Sequence, residues 1–269
     1  MENLPENSTL ARYYKNKKRR KKRRKLMFYT LLTVFMVLII AVLSLTVFFN
    51  INEFIVEGNS HYSTDEIIHA SGLEKGQNMF RLNKFDVIDR IKQSLPYLSD
   101  VTINRNLPST MVISVTETSP FCYLAWQGYF YIMDKDLKLL EASEIQPEGL
   151  AEIEGIEPVS PQPGQLVADA DGKEQTLVKI TRSISDNIGA ENITSIKISD
   201  IYDLSFVYDS RVTVLLGSSE RMDEKIKLTK YVLDENESKE HAQIDVSSGT
   251  KAYYRAVSVE ENEQASENE

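Results

Sequence analysis

Nine consecutive basic residues, Lys17, Lys18, Arg19, Arg20, Lys21, Lys22, Arg23, Arg24 and Lys25, run directly into an uncharged apolar stretch from Leu26 to Phe49. No other feature limits so strongly what this chain can become. A helix over 27–49 would extend about 35 Å at 1.5 Å per residue, enough to cross a hydrocarbon core of roughly 30 Å with some tilt. Lysines and arginines beside one end of a span are retained on the cytoplasmic side. The topology expected is therefore single-pass type II, with a basic tail (1–26) inside, the span (27–49), and the remaining residues exported. A signal peptide also starts basic, but its apolar core is only about 7 to 15 residues and ends at small residues. Val47-Phe48-Phe49-Asn50 is a poor cleavage site, so an uncleaved anchor is expected. A basic run can also neutralise the phosphates of nucleic acid. Beside an apolar stretch its topological role is sufficient, and attraction to anionic lipid comes with it, at about 1 kcal/mol per basic residue.

The net charge of −9 conceals an asymmetry. Eleven of the 31 lysines and arginines precede Leu26, against only Glu2 and Glu6 of the 40 acids, so the rest of the chain carries about −18. Such a surface favours solubility and is unsuited to nucleic acid. The single cysteine, Cys122, has no partner within the chain and sits in the apolar segment Phe121–Trp126, as a small buried residue would. The exported part is expected to fold without disulfides.

After the span, Asn52–Glu57 reads as a short strand closed by the Gly58-Asn59 turn. Ser63-Thr64-Asp65-Glu66 fits a capping box and opens a short helix ending near Gly72. Phe85, Ile88, Ile91 and Leu95 recur at helical spacing and mark a second helix, which Pro96 stops. Val101–Arg105 and Met111–Glu117 alternate like half-buried strands on either side of Asn106-Leu107-Pro108-Ser109. The order is strand, helix, helix, strand, strand.

Phe54-Ile55-Val56-Glu57-Gly58-Asn59, Tyr62-Ser63, Glu66-Ile67, Gly76 and Asn106-Leu107-Pro108-Ser109-Thr110 before a strand ending in Glu117 resemble a POTRA domain. The version they resemble is that of the bacterial cell-division family DivIB/FtsQ, and the basic tail is similar to Gram-positive DivIB members. The likeness continues through Tyr131-Ile132-Met133-Asp134, Val214-Leu215-Leu216-Gly217, Glu224-Lys225-Ile226 and Ile244-Asp245-Val246 in the family's order. Thr118-Ser119-Pro120 departs from the family's more usual Arg-x-Pro and removes a basic residue at the domain edge.

A second exported region begins with a hairpin, Phe121–Trp126 and Tyr129–Met133, joined at Gln127-Gly128. Residues 144–172, rich in proline, glycine and acid, read as strand pieces and loop. Leu177, Ile180, Ile184 and Ile188 mark a helix face, and strands follow at Ile193–Ile198, Leu204–Tyr208 and Arg211–Leu216, with Asp209-Ser210 as a tight turn. A helix over Glu220–Leu233 precedes strands at Ala242–Val246 and Lys251–Val257. The fold class is α+β: an N-terminal transmembrane helix, a POTRA domain (50–119), and a second domain (120–257) dominated by an antiparallel sheet. The acidic tail 258–269 is expected to be disordered.

Catalysis finds little material. His61, His69 and His241 stand apart in sequence, and no His-Glu-x-x-His, Gly-x-Ser-x-Gly or phosphate-binding glycine loop occurs. Asp134 with Asp136 and Glu260-Glu261 are candidate acid/base or calcium pairs, but solvated surface is the simpler reading. Phe121, Tyr123, Trp126, Tyr129, Phe130 and Tyr131 form either a sugar-stacking platform or hairpin core, and core is favoured. No cofactor or metal is expected. The resemblance implies that the last strand receives a single-span DivIC/FtsB-like partner by strand addition, with FtsL-like proteins and septal wall synthases as further partners. Here the matching segment supplies Lys251, Tyr253, Tyr254, Arg255 and Val257. An ordinary edge strand with tyrosines packed inward is an equal reading, although alternation puts Tyr253 and Tyr254 on opposite faces. The function expected is a division scaffold at the septal membrane. The alternatives are an anchored wall hydrolase or transferase, and a chaperone of exported chains.

Overall fold

The computed structural model describes residues 9–236 and 240–257, and the tail 258–269 lies outside them. Helix α1 (Thr9–Phe48) runs unbroken through the basic block and the apolar stretch, so it starts far earlier than residue 27. Lysine and arginine are good helix formers, and no glycine or proline interrupts 9–48. Among the described residues no helix is long and apolar enough to cross a membrane. The apolar side chains described in α1 are those within Leu26–Ile40, Val42 and Phe48, and they are exposed on every face of the helix. The span over 27–49 thus rests on the sequence.

By packing, the chain divides into two units. One holds the chain through Ile55 with Leu73–Asn83 and Ile103–Val112. Here the exit from α1 is laced to two other segments: Met79 N–H donates to Phe49 O (3.0 Å), Ile51 N–H to Gln77 O (2.9 Å), Gly76 N–H to Ile51 O (2.7 Å) and Asn52 N–H to Ser109 O (2.8 Å). A 3-10 turn over Met79–Arg81 is braced by Arg105, whose guanidinium donates to Met79 O (2.8 Å) and Leu82 O (3.3 Å).

The order strand, helix, helix, strand, strand is present as β1 (Glu53–Glu57), α2 (Thr64–Ser71), α3 (Lys84–Ser94), β2 (Leu98–Asn106) and β3 (Thr110–Glu117). The strands form one sheet in the order β1-β3-β2. The capping box is complete: Ser63 Oγ accepts from Glu66 N–H while the Glu66 carboxylate accepts from Ser63 N–H. In the second unit, β3 ends in a carboxylate clasp. Glu117 accepts from the backbone N–H groups of Ser60, His61 and Tyr62 and from the Ser60 hydroxyl. Burial alone would raise this carboxyl, but the donors outweigh it and hold it at about 2. Gly58 makes the clasp possible. Its φ is +86°, and a Cβ there would stand 2.1 Å from Val115 O.

The same unit contains a nine-stranded sheet. Its strands are β4 (Cys122–Trp126), β5 (Tyr129–Met133), β6 (Leu139–Ser143), β7 (Ala151–Glu154), β8 (Ile193–Lys197), β9 (Leu204–Tyr208), β10 (Val212–Gly217), β11 (Ala242–Asp245) and β12 (Tyr253–Ala256). They lie in the order β12-β11-β10-β9-β8-β7-β4-β5-β6. The sheet is mixed: antiparallel pairings predominate, as expected from the sequence, but β4 with β7, β7 with β8, and β10 with β11 are parallel. Helices α4 (Glu174–Asn187) and α5 (Met222–Glu235) account for β7 with β8 and for β10 with β11. Each connects two neighbouring strands, and a helical crossover returns the chain in the parallel sense. Ile180, Ile184 and Ile226 of these helices bury against Ile196, Phe206, Val214 and Ile244 of the sheet.

Because the folded value of Glu117 lies below the ordinary 4.5, its stabilisation is fully present above about pH 4.5 and is lost as pH falls toward about 2. Glu117→Ala is expected to cost about 1 kcal/mol at neutral pH, since solvent screens this largely exposed carboxylate, and to flatten the acid limb of the stability profile. Urea unfolding across pH checks this, and an unchanged acid limb contradicts it.

Candidate functional site: an open sheet edge

The segment singled out in the sequence becomes the terminal strand of the large sheet. β12 is shorter than the predicted 251–257, and all four of its residues are exposed. It pairs antiparallel with β11, with Ala242 opposite Ala256, Gln243 opposite Arg255, Ile244 opposite Tyr254 and Asp245 opposite Tyr253. Val257 N–H donates to His241 O (2.8 Å), which continues the same register. In an antiparallel ladder hydrogen-bonded and non-hydrogen-bonded pairs alternate. The backbone groups of Val257, Arg255 and Tyr253 therefore face β11. Those of Ala256 and Tyr254 face away from the sheet. The β11 side agrees, since Ala242 and Val246 N–H turn the other way, to Arg211 O and Leu215 O.

Side chains divide by the same alternation. Tyr254 stands opposite the fully buried Ile244 and shares its core-side face, at 39% exposure, while Tyr253 is on the other face at 62%. The inward-packing reading thus applies to Tyr254 alone. Lys251 is exposed just before the strand, and Val257 is half-buried at its end. Of the basic residues expected to set topology, Lys22, Arg23, Arg24 and Lys25 are exposed on α1.

The sequence reading missed Lys225. A lysine on a helix ordinarily reads as surface, yet this one is 2% exposed. Its ammonium donates to Leu216 O (2.8 Å) and Ser218 O (2.7 Å), at the end of β10. Burial pushes its pKa down, with Glu220 opposing. Gly249, in the turn before β12, lies so close that a Cβ there would meet Lys225 Cε at 3.5 Å. Alongside, a cleft of about 550 Å³ opens between α5 and this turn, lined by Arg221, Glu224, Lys227, Leu228, Tyr231 and Thr250.

The other candidates are engaged elsewhere. Asp134 is buried and accepts from Asp136 N–H and Lys138 N–H (2.9 Å each), capping its own turn. Burial pushes its carboxyl up, and these donors with the Thr118 hydroxyl oppose that shift. Asp136 pairs with Arg182 at 2.5 Å. Glu260 and Glu261 lie outside the described residues. Among the described residues no cluster of three or more His, Cys, Asp or Glu side chains is placed to hold a metal. Phe121 and Tyr123 are buried, Trp126, Phe130 and Tyr131 half-buried, and Tyr129 exposed. The Tyr123 and Phe130 rings meet edge-on at 69°, as core aromatics do. His61 stacks on Tyr97 at 4.1 Å between centroids.

A family model described as POTRA domain, FtsQ-type, matches residues 49–118. Over 180 residues the chain is 31% identical to the cell division protein DivIB of Clostridium acetobutylicum, covering 66% of this chain and 71% of that one. The chain belongs to the DivIB/FtsQ family. Similarity to DivIB of Clostridium botulinum is 27% over 232 residues, covering 83% and 89% of the two chains. Similarity to FtsQ of Corynebacterium glutamicum is 23% over 207 residues, covering 74% and 86%.

In this DivIB/FtsQ protein the direction of the β12 amides is directly measurable. Without a partner, Tyr254 and Ala256 N–H are expected to exchange with solvent at least about tenfold faster than Arg255 and Val257 N–H. Residue-resolved hydrogen exchange checks this, and equal rates at all four contradict the pairing.

Proposed function

We propose that this protein is a non-catalytic assembly factor of cell division that captures a single-span partner by adding a strand of that partner to β12. The carrying observation is the outward-facing pair of backbone groups on Tyr254 and Ala256, on a terminal strand of the large sheet. An unpaired edge supplies main-chain hydrogen bonds to an extended peptide, and flanking side chains select it. Tyr253 and Arg255 on one face and Tyr254 on the other supply anchors of the types enriched at interface hot spots. The cleft beside α5 would receive residues that flank the added strand.

The remainder of the reading follows from topology. Residues 1–26 stay in the cytoplasm, 27–49 span the cell membrane, and the chain from residue 50 is exported as a POTRA domain and a β-rich domain. The part of α1 from Leu26 to Ile40, apolar on every face and exposed, supports this, because such a helix segment is covered by lipid or by other spans. DivIC/FtsB-like and FtsL-like proteins are the partners that the family assignment favours, with septal wall synthases beyond them. Holding both partners in one bilayer raises their effective concentration, so modest contacts suffice. The protein would act at the division septum and support septum formation. Engagement of Asp134 and Asp136 in turn and ion-pair contacts speaks against a wall hydrolase built on that pair.

Proline at position 254 removes an outward N–H without removing a hydrogen bond to β11, which edge strands tolerate. Tyr254→Pro is expected to weaken binding of the partner's exported segment at least about tenfold, with unfolding stability nearly unchanged. Truncation after Gly249 is expected to abolish binding. Calorimetric titration of each variant decides, and unaltered affinity in both moves the interface away from β12.

A further inference from the structure

The end of the chain's first packing unit that adjoins α1 carries exposed apolar and basic side chains that the strand-addition site does not use. Phe80 is 48% exposed and Leu107 54% exposed. Their placement relative to α1 is fixed by hydrogen bonds. Phe49, the residue after the helix, accepts from Met79 N–H, and its ring meets the Phe80 ring edge-on at 5.3 Å. Asn52 N–H donates to Ser109 O, which secures the turn that carries Leu107. Arg105 completes the arrangement, lying 5.4 Å above the Phe80 ring while bracing the 3-10 turn beneath it.

Four residues of extended chain reach at most about 14 Å. The polar layer on each side of a bilayer is about 5 to 7 Å deep. With 27–49 as a span, a residue held by hydrogen bonds to the first residues beyond it would lie in or just above that layer, and Phe80, packed on Phe49, would be among them. Aromatic and leucine side chains gain from the boundary between head groups and acyl chains, and arginines gain from anionic head groups. The charge of this unit fits. Beyond α1 it carries Lys75, Arg81 and Arg105 against Glu53 and Glu74, whereas the chain after residue 25 as a whole carries about −18.

We propose that Phe80 and Leu107, flanked by Arg81 and Arg105, form a contact surface for the outer lipid head-group layer, which seats the first unit on the membrane. This inference rests on the span proposed for 27–49. Its function is orientation: a first unit seated at several points tumbles less about the anchor than one hanging from a flexible tether.

The test uses the full chain in vesicles of phosphatidylcholine with phosphatidylglycerol at roughly two to one, so that the outer surface is anionic. Nitroxide labels are placed singly at Met36→Cys in α1, at Leu107→Cys, and at Tyr202→Cys, an exposed loop residue. Cys122 does not compete for label, because it is fully buried and burial pushes its thiol up. Collision of each label with oxygen, which concentrates in lipid, is compared with collision with a water-soluble nickel chelate. The expected result is deep burial at 36 and an oxygen-to-chelate ratio at 107 at least about twofold above that at 202. Arg81→Glu is expected to cut the excess at 107 by about half. If the label at 36 is buried but that at 107 matches 202, the lipid contact is overturned while the span stands. If the label at 36 is as open to the chelate as that at 202, the span reading fails and this inference fails with it.

Discussion

The buried ammonium of Lys225 holds together the part of the fold that makes the open β12 edge. Its two carbonyl partners, Leu216 and Ser218, lie at the end of β10 and just beyond it, and Lys225 itself lies in the first turn of α5. Leaving such a charge unpaired in a protein interior would cost several kcal/mol, so the start of the helix and the end of the strand stay together. Ile226 and Thr229 continue into the core from there. The crossover through α5 then delivers β11 parallel to β10, and β11 is the template on which β12 forms. The outward direction of the Tyr254 and Ala256 amides thus depends on a chain of placements that starts at one lysine.

The two ends of the large sheet are treated differently. At β6 the outer side is partly covered by the loop 164–167: Gly164 N–H donates to Leu139 O, and Leu139 N–H donates to Gln165 O. At β12 no loop is described over the outer side, yet the strand is only four residues long and has Lys251 and Arg255 at its flank and within it. Short length and charge are the means by which edges avoid pairing with copies of themselves. The acidic balance of the chain after residue 25 adds like-charge repulsion. Such an edge favours a partner with complementary side chains over indiscriminate aggregation.

Much of this architecture is legible in the sequence because it is written in local rules. Whereas the face of α3 is shifted, with Val87 and Ile91 buried and Phe85 exposed, the Ser63–Glu66 capping box, the period-3.6 face of α4, and the period-2 strands β3 and β10 form where their patterns indicate. So do the turns at Gln127-Gly128 and Asp209-Ser210, in which both residues adopt positive φ. What is not legible depends on contacts distant in sequence. The burial of Lys225 requires carbonyls from a strand that ends before the helix begins, and nothing in Glu224-Lys225-Ile226 distinguishes it from a surface lysine. Three donors from 60–62 converge on Glu117 only once β3 lies beside the loop after β1. Two of the parallel pairings, β7 with β8 and β10 with β11, follow from helical crossovers, and strand patterns alone carry no direction. For β12, alternation separates Tyr253 from Tyr254, but which one faces the core is set by the Ile244–Tyr254 register. The extension of α1 back to Thr9 was hidden because hydropathy marks only its apolar half.

Hydrogen exchange on the full chain with a DivIC-like partner's exported segment bound tests the central claim most directly. The account predicts that the amides of Tyr254 and Ala256 become protected on binding while those of Arg255 and Val257, already paired with β11, change little. Protection appearing on another surface, with Tyr254 and Ala256 still exchanging as in the free protein, would contradict it.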